Sequence, residues 1–311
     1  MWRGSGWARR ISLREGTVSE QATILVTGVN GQVGFELLRS LQGLGRVVAA
    51  DRSILDFSDP ARARDVVREI KPTIIVNPAA YTAVDKAETD EAAARMINAE
   101  APRVLAEEAA KSGATLIHYS TDYVFDGTKD APYVEEDATN PQNVYGRTKL
   151  GGELAIAASG CDHLILRTSW VYGRRGKNFL LTMLKLGAER PELRVVADQV
   201  GAPTWSRTIA DTTAHIVARG LAATRADWWC EHSGIYNLTA GGSTSWHGFA
   251  NAIFDMTMGE RAPTITPISA SEYPVPASRP ANSRMSGRKL ADTFDLRLPT
   301  WDAALRLCLE A

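Results

Sequence analysis

The sequence predicts a doubly wound α/β sheet with a smaller C-terminal lobe, and three observations carry that expectation. Short β-branched runs alternate with amphipathic, alanine-rich stretches from Thr23 to about Val171. The runs are apolar throughout rather than alternating, which fits strands buried on both faces. A glycine-rich turn joins the first run to the first helical stretch.

In order, Thr23–Thr27 reads as a strand, Gly31–Leu41 as a helix, Arg46–Ala50 as a strand and Pro60–Ile70 as a helix. Thr73–Val76 is a third strand, followed by one long helical pattern across Glu91–Lys111. Ala114–His118 is a fourth strand, Asn143–Ala158 a helix and His163–Arg167 a fifth strand. Alternation at this spacing means parallel pairing, with crossover helices on both faces. Past Val171 the pattern weakens. Lys177–Leu186, Arg207–Arg219, Ser245–Met258 and Trp301–Leu309 read as helices and Gly234–Leu238 as a strand. The spacing of Pro263, Pro267, Pro274, Pro276 and Pro280 predicts extended loops.

At 311 residues the chain is long enough for a large domain with an appended lobe. Its 44% hydrophobic and 23% charged content is that of a soluble globular protein. A net charge of −1 supplies no global field to recruit nucleic acid or an anionic membrane. Three scattered cysteines, Cys161, Cys230 and Cys308, argue against a disulfide framework and fit a reducing cytoplasm. No histidine or cysteine spacing suggests a catalytic metal. The apolar stretches are too short to span a bilayer. Residues 1–21, with Trp2, Trp7, Arg9 and Arg10, differ from the rest and read as a disordered extension without a signal-type apolar run.

Thr27-Gly28-Val29-Asn30-Gly31-Gln32-Val33-Gly34 follows the first strand and opens a helix. Gly28 suits a tight turn, Gly31 a close approach to a pyrophosphate, and Gly34 close helix–sheet packing. The amides of Gly31, Gln32 and Val33 are expected to face that anion at the positive end of the helix. Asp51, ending the second strand, suits the adenine ribose hydroxyls of NADH; Arg52 and Ser53 suit the 2′-phosphate of NADPH. The sequence leaves both cofactors open.

Tyr145 and Lys149 form the other constellation. Four residues along a helix place both on one face, and Tyr145 alone of eight tyrosines has lysine at that spacing. A neighbouring ammonium is expected to lower the phenol's titration toward working pH, so that Tyr145 protonates the alkoxide of a reduced ketone. Ser120 or Thr121, ending the fourth strand, can place a hydroxyl on the ketone oxygen. Glu135, Glu136 and Asp137 read as a solvated acidic loop.

With these residues in place the chain resembles the extended short-chain dehydrogenase/reductases, and within them the dTDP-4-dehydrorhamnose reductase family. GVNGQVG, HYSTDYVFDG, NPQNVYGRTKLGGE, LRTSWVYG, DQVGAPTW and RPANSRM carry the likeness from Thr23 to the C-terminus. The resemblance implies a Rossmann-type dinucleotide domain over residues 22–172. It places a substrate-binding lobe mainly over 173–311, with some elements returning to the main sheet. It implies Gly31, Gln32 and Val33 around the pyrophosphate, Asp51, Asp56 and Phe57 around adenosine, and Ala79, Ala80, Tyr81 and Tyr119 along the nicotinamide half. Thr121 and Asp122 would contact the sugar, Tyr145 and Lys149 would catalyse, and Trp170 would line the sugar pocket. Pro78 and Tyr81 depart from the family's usual NAAAH run, which weakens the contacts expected there. The implied reaction is NADPH- or NADH-dependent reduction of a C4 ketone on a dTDP-sugar. Some relatives carry magnesium, often at a homodimer contact, but no ligand set stands out here. Arg279 and Arg284 are further candidates for the diphosphate. Two rival readings are another nucleotide-sugar reductase or epimerase, and a non-catalytic subunit similar to the methionine adenosyltransferase regulatory subunit.

Overall fold

A computed structural model describes residues 21–311. The expectation for the N-terminal stretch falls, Gln21 apart, outside the described residues. The first half runs β1 (Thr23–Val26), α1 (Gln32–Ser40), β2 (Arg46–Ala49), α2 (Pro60–Ile70), β3 (Ile74–Asn77), α3 (Val84–Ala87), α4 (Glu91–Arg95), α5 (Ala101–Ser112), β4 (Thr115–Thr121), α6 (Val144–Ala158) and β5 (His163–Thr168). The strands of the second half are β6 (Val171–Tyr172), β7 (Glu192–Val196), β8 (Val200–Gly201), β9 (Thr204–Trp205), β10 (Gly234–Asn237), β11 (Thr244–Ser245) and β12 (Thr264–Ile268). Its helices are α7 (Phe179–Glu189), α8 (Ser206–Ala222), α9 (Trp228–Glu231), α10 (Trp246–Thr257), α11 (Arg288–Phe294) and α12 (Trp301–Glu310).

Six strands form one parallel sheet in the order β10-β5-β4-β3-β1-β2. The strand order reverses between β1 and β3. In such sheets ligands bind in the crevice outside the strands' carboxyl ends at that reversal. Both faces are covered, as the unbroken apolar strands require. Ile24, Val26, Val76 and Ile117 pack with Leu37 of α1 and Ile209 and Ile216 of α8. Leu25, Ile75, Leu116 and Ile165 pack with Val66 of α2, Val104 of α5 and Ile156 of α6. A separate core of Leu180, Phe249, Phe254 and Leu305 joins α7, α10 and α12.

Two elements depart from expectation. The proline-spaced segment is not all loop, because Thr264–Ile268 pairs in parallel with β7. Thr264 donates its N–H to Pro191 O of the β7 side. With a strand period of two, the nitrogen of Pro267 then faces away from the partner, where proline is tolerated. The pattern across Glu91–Lys111 runs through a π-turn at Met96–Glu100. Pro102 offers no N–H to the Asn98 carbonyl. That oxygen lies so near α6 that a Cβ on Gly152 would sit 2.2 Å from it.

Candidate active site

The glycine turn is built as close packing demands. Gly28 has φ +54°, and a Cβ there would lie 2.8 Å from the Ala79 backbone. A Cβ on Gly34 would lie 2.3 Å from Gly28 O. One expectation fails: the Gly31 amide is not free, because it donates to Gly28 O at 2.9 Å and closes the turn. Gln32 and Val33 stand at the first turn of α1, where amides have no intrahelical acceptor. Ala79, Ala80 and Tyr81 line the neighbouring loop after β3, each part-exposed. Tyr81 donates its hydroxyl to Asp90 at 3.1 Å.

At the end of β2, Asp51 Oδ1 accepts from both the N–H and the hydroxyl of Ser53, at 2.9 and 2.6 Å. Asp56 is exposed and accepts the Ser58 N–H at 2.9 Å. Phe57 is buried with Leu55 and Ala63. The Tyr119 side chain is also committed elsewhere, its hydroxyl 2.7 Å from Thr213 on α8.

Asn143 caps α6 by accepting the Gly146 N–H at 2.7 Å, which sets the helix start against the turn after β4. A Cβ on Gly146 would lie 2.2 Å from Tyr123 O. Tyr145 therefore sits against Tyr123, their rings edge to face at 5.5 Å. One turn on, Lys149 is fully buried and donates to Tyr119 O at 2.6 Å. Sequence and structure disagree about the phenol. Burial pushes Tyr145 up to about 12, against the opposing hydrogen bond from Thr121. The lysine does not offset that burial, because burial lowers Lys149 itself to about 7 despite support from Glu153. The phenol is thus a loaded proton donor at neutral pH. That is the state a carbonyl reduction needs.

Thr121 accepts the Tyr123 N–H at 3.2 Å and donates to Asp122 Oδ1 at 3.0 Å. Asp122 is buried, its Oδ2 has no partner, and burial raises the carboxyl to about 6. Trp170 takes φ +47°, an uncommon backbone for a bulky residue. Its ring lies between the flat face of Trp246, at 3.5 Å, and Gly201, where a Cβ would meet the ring at 2.5 Å. Arg279 bonds Asp85 at 2.8 Å while its buried Nε has no partner. Arg284 is instead held by Asn282 of its own loop and by the Asp130 carbonyl of the segment after β4. Glu135 is buried rather than solvated: Asn237 donates its N–H to the carboxylate at 2.7 Å, because β10 joins the sheet beside that loop.

Residue-by-residue reading missed Asn98, Gly201 and Trp246. Asn98 accepts the Tyr81 N–H at 2.8 Å and donates to Thr148 at 3.1 Å, pinning the cofactor-side loop to α6.

The RmlD substrate binding domain family matches residues 22–311. A dTDP-4-dehydrorhamnose reductase of Burkholderia thailandensis is 52% identical over 293 residues, covering 92% of this chain and 98% of that protein. The chain belongs to the dTDP-4-dehydrorhamnose reductase family. A second member, from Salmonella typhimurium, is 46% identical and covers 92% of the chain and 96% of its own length. The crystal structure of the Bacillus anthracis reductase, in complex with NADP, superposes with a TM-score of 0.85 at 34% identity, covering 93% and 99% of the two chains. The UDP-glucose 4-epimerase of Thermus thermophilus shares the fold, with a TM-score of 0.75 at 19% identity. Among the described residues no helix is long and apolar enough to cross a membrane. Among the described residues no three His, Cys, Asp or Glu side chains are grouped as metal ligands.

Proposed function

We propose that the protein reduces the C4 ketone of dTDP-4-dehydro-β-L-rhamnose to dTDP-β-L-rhamnose with NADPH. The observation that carries this reading is the Tyr145–Lys149 turn of α6 set against Thr121 at the carboxyl edge of β4. The dinucleotide fits the glycine turn: Gly28 lets the turn pack against the Ala79 backbone, and Gln32 and Val33 offer amides to the pyrophosphate. Asp51, Arg52 and Ser53 would hold the adenosine ribose and its 2′-phosphate, a reading supported by the Bacillus anthracis relative, which was solved with NADP. When bound, NADPH supplies the hydride to the sugar's C4.

The chain's own residues do the rest. Tyr145 gives its phenolic proton to the developing alkoxide, Thr121 steadies the ketone oxygen, and Lys149 supports the phenolate that remains. Asp122 Oδ2 accepts a sugar hydroxyl, and the edge of Trp170 walls the sugar. Residues 22–172 serve mainly the dinucleotide and 173–311 mainly the sugar nucleotide. The deciding experiment is NADPH consumption with candidate 4-keto sugars; no turnover of the dTDP-sugar would defeat the reading. An epimerase would instead retain NAD through purification.

Two variants probe the sugar side. Asp122 titrates near 6 when folded against an ordinary 3.8, so folding loses stability as pH rises through that window. Asp122→Asn removes that loss: the cofactor-free protein should gain about 1–2 kcal/mol at pH 8 and nothing near pH 4, while the sugar's KM rises. Denaturant unfolding at both pH values decides it, and equal gains would refute the linkage. Arg279→Ala should raise the sugar-nucleotide KM about tenfold or more with little change in KM for NADPH, as loss of a charged phosphate contact requires. An unchanged KM disposes of that role.

A further inference from the structure

On the sheet face beneath α5 and α6, the apolar row Leu25, Ile75 and Leu116 is continued two residues further along each strand by Thr27, Asn77 and His118. All three are buried. Thr27 donates its hydroxyl to Asn77 Oδ1 at 2.6 Å, and Asn77 Nδ2 lies 3.0 Å from His118 Nδ1. His118 Nε2 lies 3.0 Å from Lys149 Nζ. A single line of polar atoms thus crosses three adjacent strands, from beneath the glycine turn to the lysine. Buried polar groups persist at tolerable cost when every member is satisfied.

The line has a direction. With Asn77 Oδ1 occupied by Thr27, its Nδ2–H donates to His118 Nδ1, and a neutral imidazole then carries its proton on Nε2. That N–H meets Nζ, which can accept it only as a free amine. Flipping the Asn77 amide reverses every bond: Nδ1–H donates to Oδ1, and the Nε2 lone pair accepts from an ammonium.

We infer that His118 is a positioning residue for Lys149, with Thr27 and Asn77 fixing the imidazole tautomer and the tautomer deciding whether Nζ meets a donor or a lone pair. The inference rests on the reading of Lys149 as the catalytic amine. Burial and Lys149 together keep His118 neutral. Glu153 of α6 also supports the ammonium, and Arg167 of β5 binds Glu153 at 2.6 Å. The π-turn contributes uncharged Asn98 to the α6 surface; Tyr145 lies on α6 itself, and Asp122 and Tyr123 follow β4.

The test is the pH profile of kcat for reduction. The rate should fall as pH rises through the Lys149 titration, because the ammonium supports the phenolate. In Asn77→Asp the carboxylate can only accept, which puts the proton on Nδ1 and the lone pair toward Nζ. The limb should move up by about one pH unit. His118→Phe removes the Nε2–H donor that favours the free amine, and the limb should also move up, by less than in Asn77→Asp, because no lone pair replaces the donor. In cofactor-free protein, ring nitrogen-15 shifts of His118 should report the Nε2–H tautomer in the parent and Nδ1–H in Asn77→Asp. An unmoved limb in Asn77→Asp, a downward shift in either variant, or an unchanged tautomer overturns the proposal. If His118→Phe does not fold, the isosteric Asn77→Asp decides by limb and tautomer alone. Lys149→Met with parental turnover would instead overturn the functional reading, leaving the tautomer result standing.

Discussion

Tyr145→Phe is expected to lower turnover of the 4-keto sugar by about 10²- to 10⁴-fold, the usual worth of a positioned proton donor. NADPH affinity should stay within about threefold, because the substitution removes one oxygen and keeps the ring against Tyr123. The size of the loss follows from the site's electrostatics. With burial holding the phenol at about 12, Tyr145 stays protonated throughout the working range. The loss should therefore be greatest below the Lys149 titration and shrink above it, where parental activity falls along the limb assigned to Lys149. Water can replace the proton donor only poorly in a pocket where Thr121 and Asp122 are buried. Steady-state NADPH oxidation and a fluorescence titration of NADPH separate the two quantities. Parental turnover in the variant would remove Tyr145 from the chemistry.

The parts of this site legible in the sequence are those fixed by local rules. Gly28 and Gly34 could be read because a turn joining strand to helix has few solutions, and Tyr145 and Lys149 because a helix puts fourth neighbours on one face. Parallel pairing and burial on both faces followed from uninterrupted apolar runs alternating with helices. What escaped depends on partners distant in the chain. His118 looks like any strand residue until Asn77 is in register beside it, 41 residues away. Gly201 gives no sign that an added methyl would strike the Trp170 ring. Glu135 read as solvated because nothing local announces that β10 will deliver the Asn237 amide to it. The titration of Tyr145 was misjudged for a related reason: spacing brings two charges together, but burial sets their protonation. Here burial outweighs the Coulomb attraction that the spacing suggested.

The largest effect on stability should come from Arg167→Met. Arg167 and Glu153 are each 2% exposed and joined through two bonds, at 2.9 and 2.6 Å. Arg167 also donates to the Glu135 carbonyl at 3.3 Å, tying β5 and α6 to the loop that receives β10. Removing the guanidinium leaves a buried carboxylate without its hydrogen-bonded counter-ion, which costs about 3–5 kcal/mol. In a chain of this size that corresponds to a fall in Tm on the order of 10 °C. The pair as a whole contributes far less, since the desolvation of both ions offsets most of their attraction. Arg167→Met/Glu153→Leu should therefore recover most of the loss, although each single change is severe. Because Glu153 supports the Lys149 ammonium, the recovered double variant should also show its alkaline limb of activity at lower pH than the parent. Thermal unfolding of the singles and the double is the measurement. A double variant as unstable as Arg167→Met would mean that the loss comes from the missing packing and the Glu135 contact rather than from a stranded charge.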